Sequence, residues 1–112
     1  MQIEQSRKGD VVTLSITGDC TVAAARELRD ALRAALGREG AVALDISGVG
    51  AADITFVQLL LAADAFLHAN GGSLTLAGPL PEELAKVITL SGAHRRHEFR
   101  TLLARSGLAV EG

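Results

Sequence analysis

The chain has 112 residues, 48% of them apolar, with 13 Asp and Glu against 11 Lys and Arg and a formal charge of −2. That length suits one domain with a buried core, and that apolar share excludes a disordered chain. The near-neutral charge and the presence of three Phe without Trp or Tyr argue against a nucleic-acid surface or a base-stacking platform.

Lys8-Gly9-Asp10 reads as a turn, and Val11 to Thr17 alternates with Val12, Leu14 and Ile16 on one face. A period of two predicts an N-terminal hairpin whose second strand ends at Gly18-Asp19. Thr21 is placed to cap the next helix. There Val22, Ala25, Leu28, Leu32, Ala35 and Leu36 recur at helical spacing, with Arg26, Glu27, Arg29, Asp30 and Arg33 mostly on the other side. The stop is expected near Gly37, with Gly40 just beyond. Ala41 to Ile46 is apolar on both faces, which predicts a strand inside a sheet covered by helices, and Ser47-Gly48-Val49-Gly50 follows as a loop. A second helix is predicted from about Thr55 to Asn70, stopping at Gly71-Gly72, and Ser73 to Ala77 is another strand. Gly78-Pro79 turns into a third helix, with Pro81, Glu82 and Glu83 in its first turn and Gly92 at its end. After the basic segment His94 to Arg100, the spacing of Phe99, Leu102 and Leu103 predicts a short fourth helix. The order implies an α/β sandwich: a mixed central sheet with an N-terminal hairpin and about four α-helices.

The chemistry-bearing residues are few. Thr55 and Gln58 form a capping box at the start of the second helix, where a hydroxyl contributes roughly 1 kcal/mol. On that helix Phe56, Leu59, Leu60, Ala63, Phe66 and Leu67 make the face expected to meet the sheet. Val57, Gln58, Leu61, Asp64, Ala65 and His68 fall opposite. Val57 and Leu61, beside Thr55, form a docking patch or are covered by the C-terminal segment. His94 and His97 among arginines read as a solvated basic surface on one helical face, without the further ligands a metal needs. The single Cys20 reads as a packed small residue in a reducing compartment. Gly48-Val49-Gly50 lacks the Lys-Ser/Thr of a phosphate loop, and no Ser sits in a nucleophile elbow. No cofactor and no enzymatic activity are expected. The first nine residues lack an apolar signal region, and Phe56 to Leu67 is too short to span a bilayer. A cytoplasmic protein without membrane insertion is expected.

Two segments carry a family likeness. Gly18-Asp19-Cys20-Thr21, followed by a helix containing Ala25-Arg26-Glu27-Leu28, resembles the STAS stretch after the first hairpin. Leu44-Asp45-Ile46-Ser47-Gly48-Val49, leading through a loop to Asp53-Ile54-Thr55-Phe56-Val57, resembles the family signature. Gly71-Gly72-Ser73-Leu74-Thr75-Leu76, then Gly78-Pro79 and a helix ending near Leu90-Ser91-Gly92, is similar too. The resemblance implies a STAS-like sandwich over residues 1–92, with 93–112 a short basic C-terminal helix and tail of the same domain. In anti-sigma-factor antagonists of this kind, the second hydroxyl residue of the signature is phosphorylated by a partner kinase that is itself the anti-sigma factor. By position that residue is Thr55, with Asp53 as its acidic neighbour, while Ile54 replaces the first hydroxyl and Phe56 the small Gly. The resemblance implies partner contacts by Thr21, Asp53, Val57, Gln58 and Leu61, and an anti-sigma factor or switch protein kinase as partner. It equally allows a non-phosphorylated subunit of a transporter, lipid-transport or chemotaxis-associated assembly.

Overall fold

The structure, a computed structural model, describes residues 1–36 and 40–108, with the backbone alone at 35 and 36. The strands are β1 (Gln2–Lys8), β2 (Val11–Cys20), β3 (Ala41–Ala52) and β4 (Ser73–Ala77). The α-helices are α1 (Ala25–Leu36), α2 (Ile54–Ala69), α3 (Glu82–Ser91) and α4 (His97–Arg105), with short 3-10 helices at Val22–Ala24 and Ala93–Arg95. The strands lie in chain order: β1 runs antiparallel to β2, while β2, β3 and β4 are parallel. The mixed α/β sandwich expected from the sequence is the fold observed.

The period-two pattern decides which face is buried. Val12 pairs Val42, which pairs Leu74; Leu14 pairs Leu44, which pairs Leu76. All six are buried, and with Ile16 and Ile46 they form the floor of the core. The residues between them, Thr13, Ser15, Ala43, Asp45 and Thr75, remain half-exposed. The helices therefore cover one face only, and the double cover expected for β3 is not found. Ala41 and Ala43 are too small to demand a second layer, so their apolar character misleads. From the helices, Leu28, Leu32, Phe56, Leu60, Leu67, Leu84, Ile88, Phe99 and Leu102 close the core.

Two strands run further than expected. β2 continues through Gly18-Asp19 to Cys20, and β3 through Ser47-Gly48-Val49-Gly50 to Ala52. Register shifts between Ser15 and Thr17, and between Gly18 and Cys20, mark bulges where β3 carries the extra residue. The glycines that suggested loops are what permits those bends.

Gly92, at φ 75°, ends α3 in the left-handed conformation, as a C-terminal glycine should. The stop expected at Gly37 lies outside the described residues, as do the side chains of Ala35 and Leu36. The fourth helix docks on the free edge of β4. Arg105 Nε donates to Leu74 O at 2.8 Å, Leu76 N donates to Ser106 Oγ at 2.8 Å, and Arg105 also pairs with Asp64 of α2. These bonds satisfy edge groups that would otherwise invite another strand. His94 and His97 do not share a helical face. His94 is half-buried and its Nδ1 lies 3.3 Å from Ile88 O, whereas His97 is exposed at the start of α4.

Candidate functional site

The ribbon formed by the ends of β2 and β3 carries the chain to one rim of the sheet. Each bulge leaves backbone N–H groups without a ladder partner, and carboxylates take them. Asp45 Oδ1 accepts from Ser47 N at 3.0 Å and from Ser47 Oγ at 2.7 Å. Those two bonds, the side-chain one foremost, hold the Asp45 carboxyl below its ordinary pKa. Asp19 Oδ1 accepts from Ala51 N at 3.0 Å, and a Cβ on Gly50 would stand 2.7 Å from that oxygen. Glycine at position 50 is what lets Asp19 approach. Cys20, between these strands and the core, is buried, and desolvation pushes its thiol up to about 11.

At the rim the decisive residue is Asp53. Its backbone is extended (φ −132°, ψ −177°) and it caps α2, with Oδ1 accepting from Thr55 N at 3.0 Å. Its second oxygen, Oδ2, accepts from Val22 N at 2.9 Å, at the start of the 3-10 helix that leads into α1. One carboxylate thus fixes the entry of two helices, and its charge suits both N-termini.

This geometry corrects several expectations. Thr55 is not the cap: it is the second residue of α2, half-buried, and it donates its N–H to Asp53 rather than accepting a cap bond. The Thr55–Gln58 capping box is therefore absent, because Asp53, two residues earlier, already occupies the cap position. Among the described residues the Thr55 hydroxyl has no hydrogen-bond partner. Thr21 stands before the 3-10 helix but its side chain makes no cap bond; the Val22 N–H that follows it is held by Asp53.

Of the other singled-out residues, Gln58 is exposed one turn beyond Ile54, and Leu61 is half-buried against the core. Val57 is buried, with 1% of its surface exposed, and belongs to the core rather than to any docking patch. The helical wheel misassigned it because α2 is packed from more than one side, by α1, α3 and α4 as well as β4.

Thr21, Asp53 and Thr55 are brought together. Two further residues at this rim, not expected from the sequence to be contacts, are exposed: Val22 at 69% and Ile54 at 43%. Helical spacing puts Val22 on the apolar side of a regular α-helix, whereas it opens a 3-10 turn and is exposed. The rim therefore carries an unbonded hydroxyl, two exposed apolar side chains and an engaged carboxylate. It offers hydrogen bonding and apolar contact. The Thr55 hydroxyl has no base bonded to it, and no metal-holding group of three or more His, Cys, Asp or Glu occurs among the described residues.

A four-stranded mixed sheet with helices on one face is the fold this chain shares with solved anti-sigma-factor antagonists. A Thermotoga maritima protein described as a candidate anti-sigma-factor antagonist superposes with a TM-score of 0.71 at 19% identity, over 83% of this chain and 80% of that one. The anti-sigma-factor antagonist SpoIIAA in its unphosphorylated form gives 0.62 at 16% identity, over 96% and 100% of the two chains. Its phosphorylated form, from Bacillus, gives 0.63 at 19% identity, over 89% and 96%. A family model described as "Mlab, STAS domain" matches residues 3–109, and the chain belongs to the STAS domain family. No curated protein sequence matches it. Among the described residues no helix is long and apolar enough to cross a membrane.

Proposed function

We propose that the chain is a cytoplasmic, non-enzymatic regulator that binds a protein partner through the Asp53–Thr55 rim, as an anti-sigma-factor antagonist controlled by phosphorylation of Thr55. The observation that carries this reading is the unbonded Thr55 hydroxyl at a helix start, at a rim that also exposes Val22 and Ile54. A phosphate there adds about two negative charges. The helix N-terminus tolerates them, while the Asp53 carboxylate opposes them. The fold is little disturbed, and the surface offered to an apolar partner face becomes anionic. Desolvating that charge in an interface is unfavourable, so the phosphorylated form releases its partner. Thr21, Gln58 and Leu61 extend the same contact surface.

The test uses the anti-sigma factor or switch kinase of the native host with ATP. A single-phosphate mass shift that Thr55→Ala removes, together with partner capture by wild type but not by Thr55→Glu, supports the reading. No mass shift, with Thr55→Glu still binding, rejects it.

A second reading is favoured by one observation. Ile54 and Val22, at the two helix starts joined by Asp53, are apolar and exposed, which suits a permanent interface. In that case the chain is a non-phosphorylated subunit of a transporter, lipid-transport or chemotaxis-associated assembly. Ile54→Lys then abolishes assembly, whereas Thr55→Glu weakens it only in proportion to the lost contact.

A further inference from the structure

A groove of about 220 Å³ runs between α1 and α2, beginning at Leu59, one helical turn beyond Thr55. Leu32 and Ala63 form its buried floor, Leu59 is half-buried along it, and Phe66 stands at its lip with 46% of its surface exposed. The opposite wall is Arg29 and Arg33, one turn apart on α1. None of the described lining residues is acidic. Arg29 touches Asp30 at 3.5 Å, but both side chains are well exposed, so water and salt screen that pair. Arg33 makes no ion pair among the described residues. The wider groove between α2 and α4 differs: it mixes Asp64 and Glu98 with Arg96 and Arg105, and has no single sign.

Size and charge select the ligand class. Pockets for drug-sized molecules begin near about 300 Å³, so this groove has room for one or two apolar side chains rather than a whole small molecule. An apolar recess between two helices is the seat of the helix-in-groove mode of recognition. Guanidinium groups along one wall pair with carboxylates in bidentate geometry. We propose that this groove docks an acidic amphipathic helix of a protein partner. Its apolar side chains seat against Leu59 and Phe66, and its Glu or Asp residues meet Arg29 and Arg33. The proposal is independent of phosphorylation at Thr55.

The test titrates the isotope-labelled chain with two synthetic amphipathic helices of about 14 residues, long enough to be helical when docked. One is built from Leu and Glu, the other from Leu and Lys. The Glu peptide is expected to shift the amides of Leu32, Arg33 and Phe66, and to bind about tenfold more weakly to R29E/R33E, as the loss of two charged contacts predicts. The Lys peptide is expected to prefer that same variant. Arg29 and Arg33 are exposed, and an unchanged amide spectrum elsewhere shows that the variant is folded. Equal binding of both peptides to wild type overturns the proposal. So do shifts confined to Val22 and Ile54, and so does binding to phosphatidylglycerol vesicles without binding to either peptide.

Discussion

Replacing Asp53 by Ala removes two bonds with one substitution. The bond to Thr55 N, at 3.0 Å, is a helix N-cap, whose loss costs about 1 kcal/mol. The bond to Val22 N, at 2.9 Å, is a charge-assisted contact to a second helix start, and its loss costs about 1 kcal/mol more. The expected destabilisation is about 2 kcal/mol, which for a domain of this size lowers Tm by roughly 8 to 12 °C. Asp53→Asn separates the two contributions. Asn caps a helix as well as Asp does, so the Thr55 bond survives, but its amide nitrogen cannot accept from Val22 N. That variant should lose about 1 kcal/mol. Urea unfolding gives the two energies, and amide hydrogen exchange locates them: Asp53→Ala should accelerate both Val22 and Thr55, Asp53→Asn only Val22. Equal destabilisation by the two variants, or an unchanged Val22 amide in both, refutes the idea of a shared clamp.

Three further outcomes follow from the same geometry. Val57→Lys should unfold the domain or cost more than about 3 kcal/mol, because it places an unpaired charge in the core; a folded protein of wild-type Tm would show that Val57 is a surface residue. Arg105→Ala should cost about 2 kcal/mol by freeing Leu74 O and leaving Asp64 alone, and Ser106→Ala about 1 kcal/mol, with faster exchange at the Leu76 amide; urea unfolding and exchange read both. Cys20 should resist iodoacetamide at pH 8 in the native protein and react only after unfolding. Its thiol pKa rises from 9.0 to about 11 on folding, so the folded state favours the protonated form. Its contribution is complete below pH 9 and is lost as pH climbs through the window up to 11, which urea unfolding at pH 8 and pH 10 should show.

Much of this is legible in the amino-acid sequence alone. The alternation of Val12, Leu14 and Ile16, the helical spacing of Leu28 and Leu32, and the stop at Gly92 are local signals. They reflect backbone periods of two and 3.6 that each segment expresses by itself. The quoted STAS-like segments, in their order along the chain, carried the family as well. The neighbourhood of Thr55 was visible in the same way, as a polar residue at the head of an apolar run.

What the sequence could not decide depends on who meets whom across the chain. Asp53 and Val22 are separated by 31 positions, so only the bulged pairing of β2 with β3 shows that one carboxylate serves two helices. Val57 looked exposed on an isolated helix and is buried because α2 has neighbours on several sides. Ala43 looked buried and is half-exposed because no second helical layer covers the sheet. Periodicity is a property of one segment, whereas burial and hydrogen-bond partnership arise from the assembled layers, and those long-range contacts alone turn a threonine near a helix start into an open hydroxyl on a defined rim.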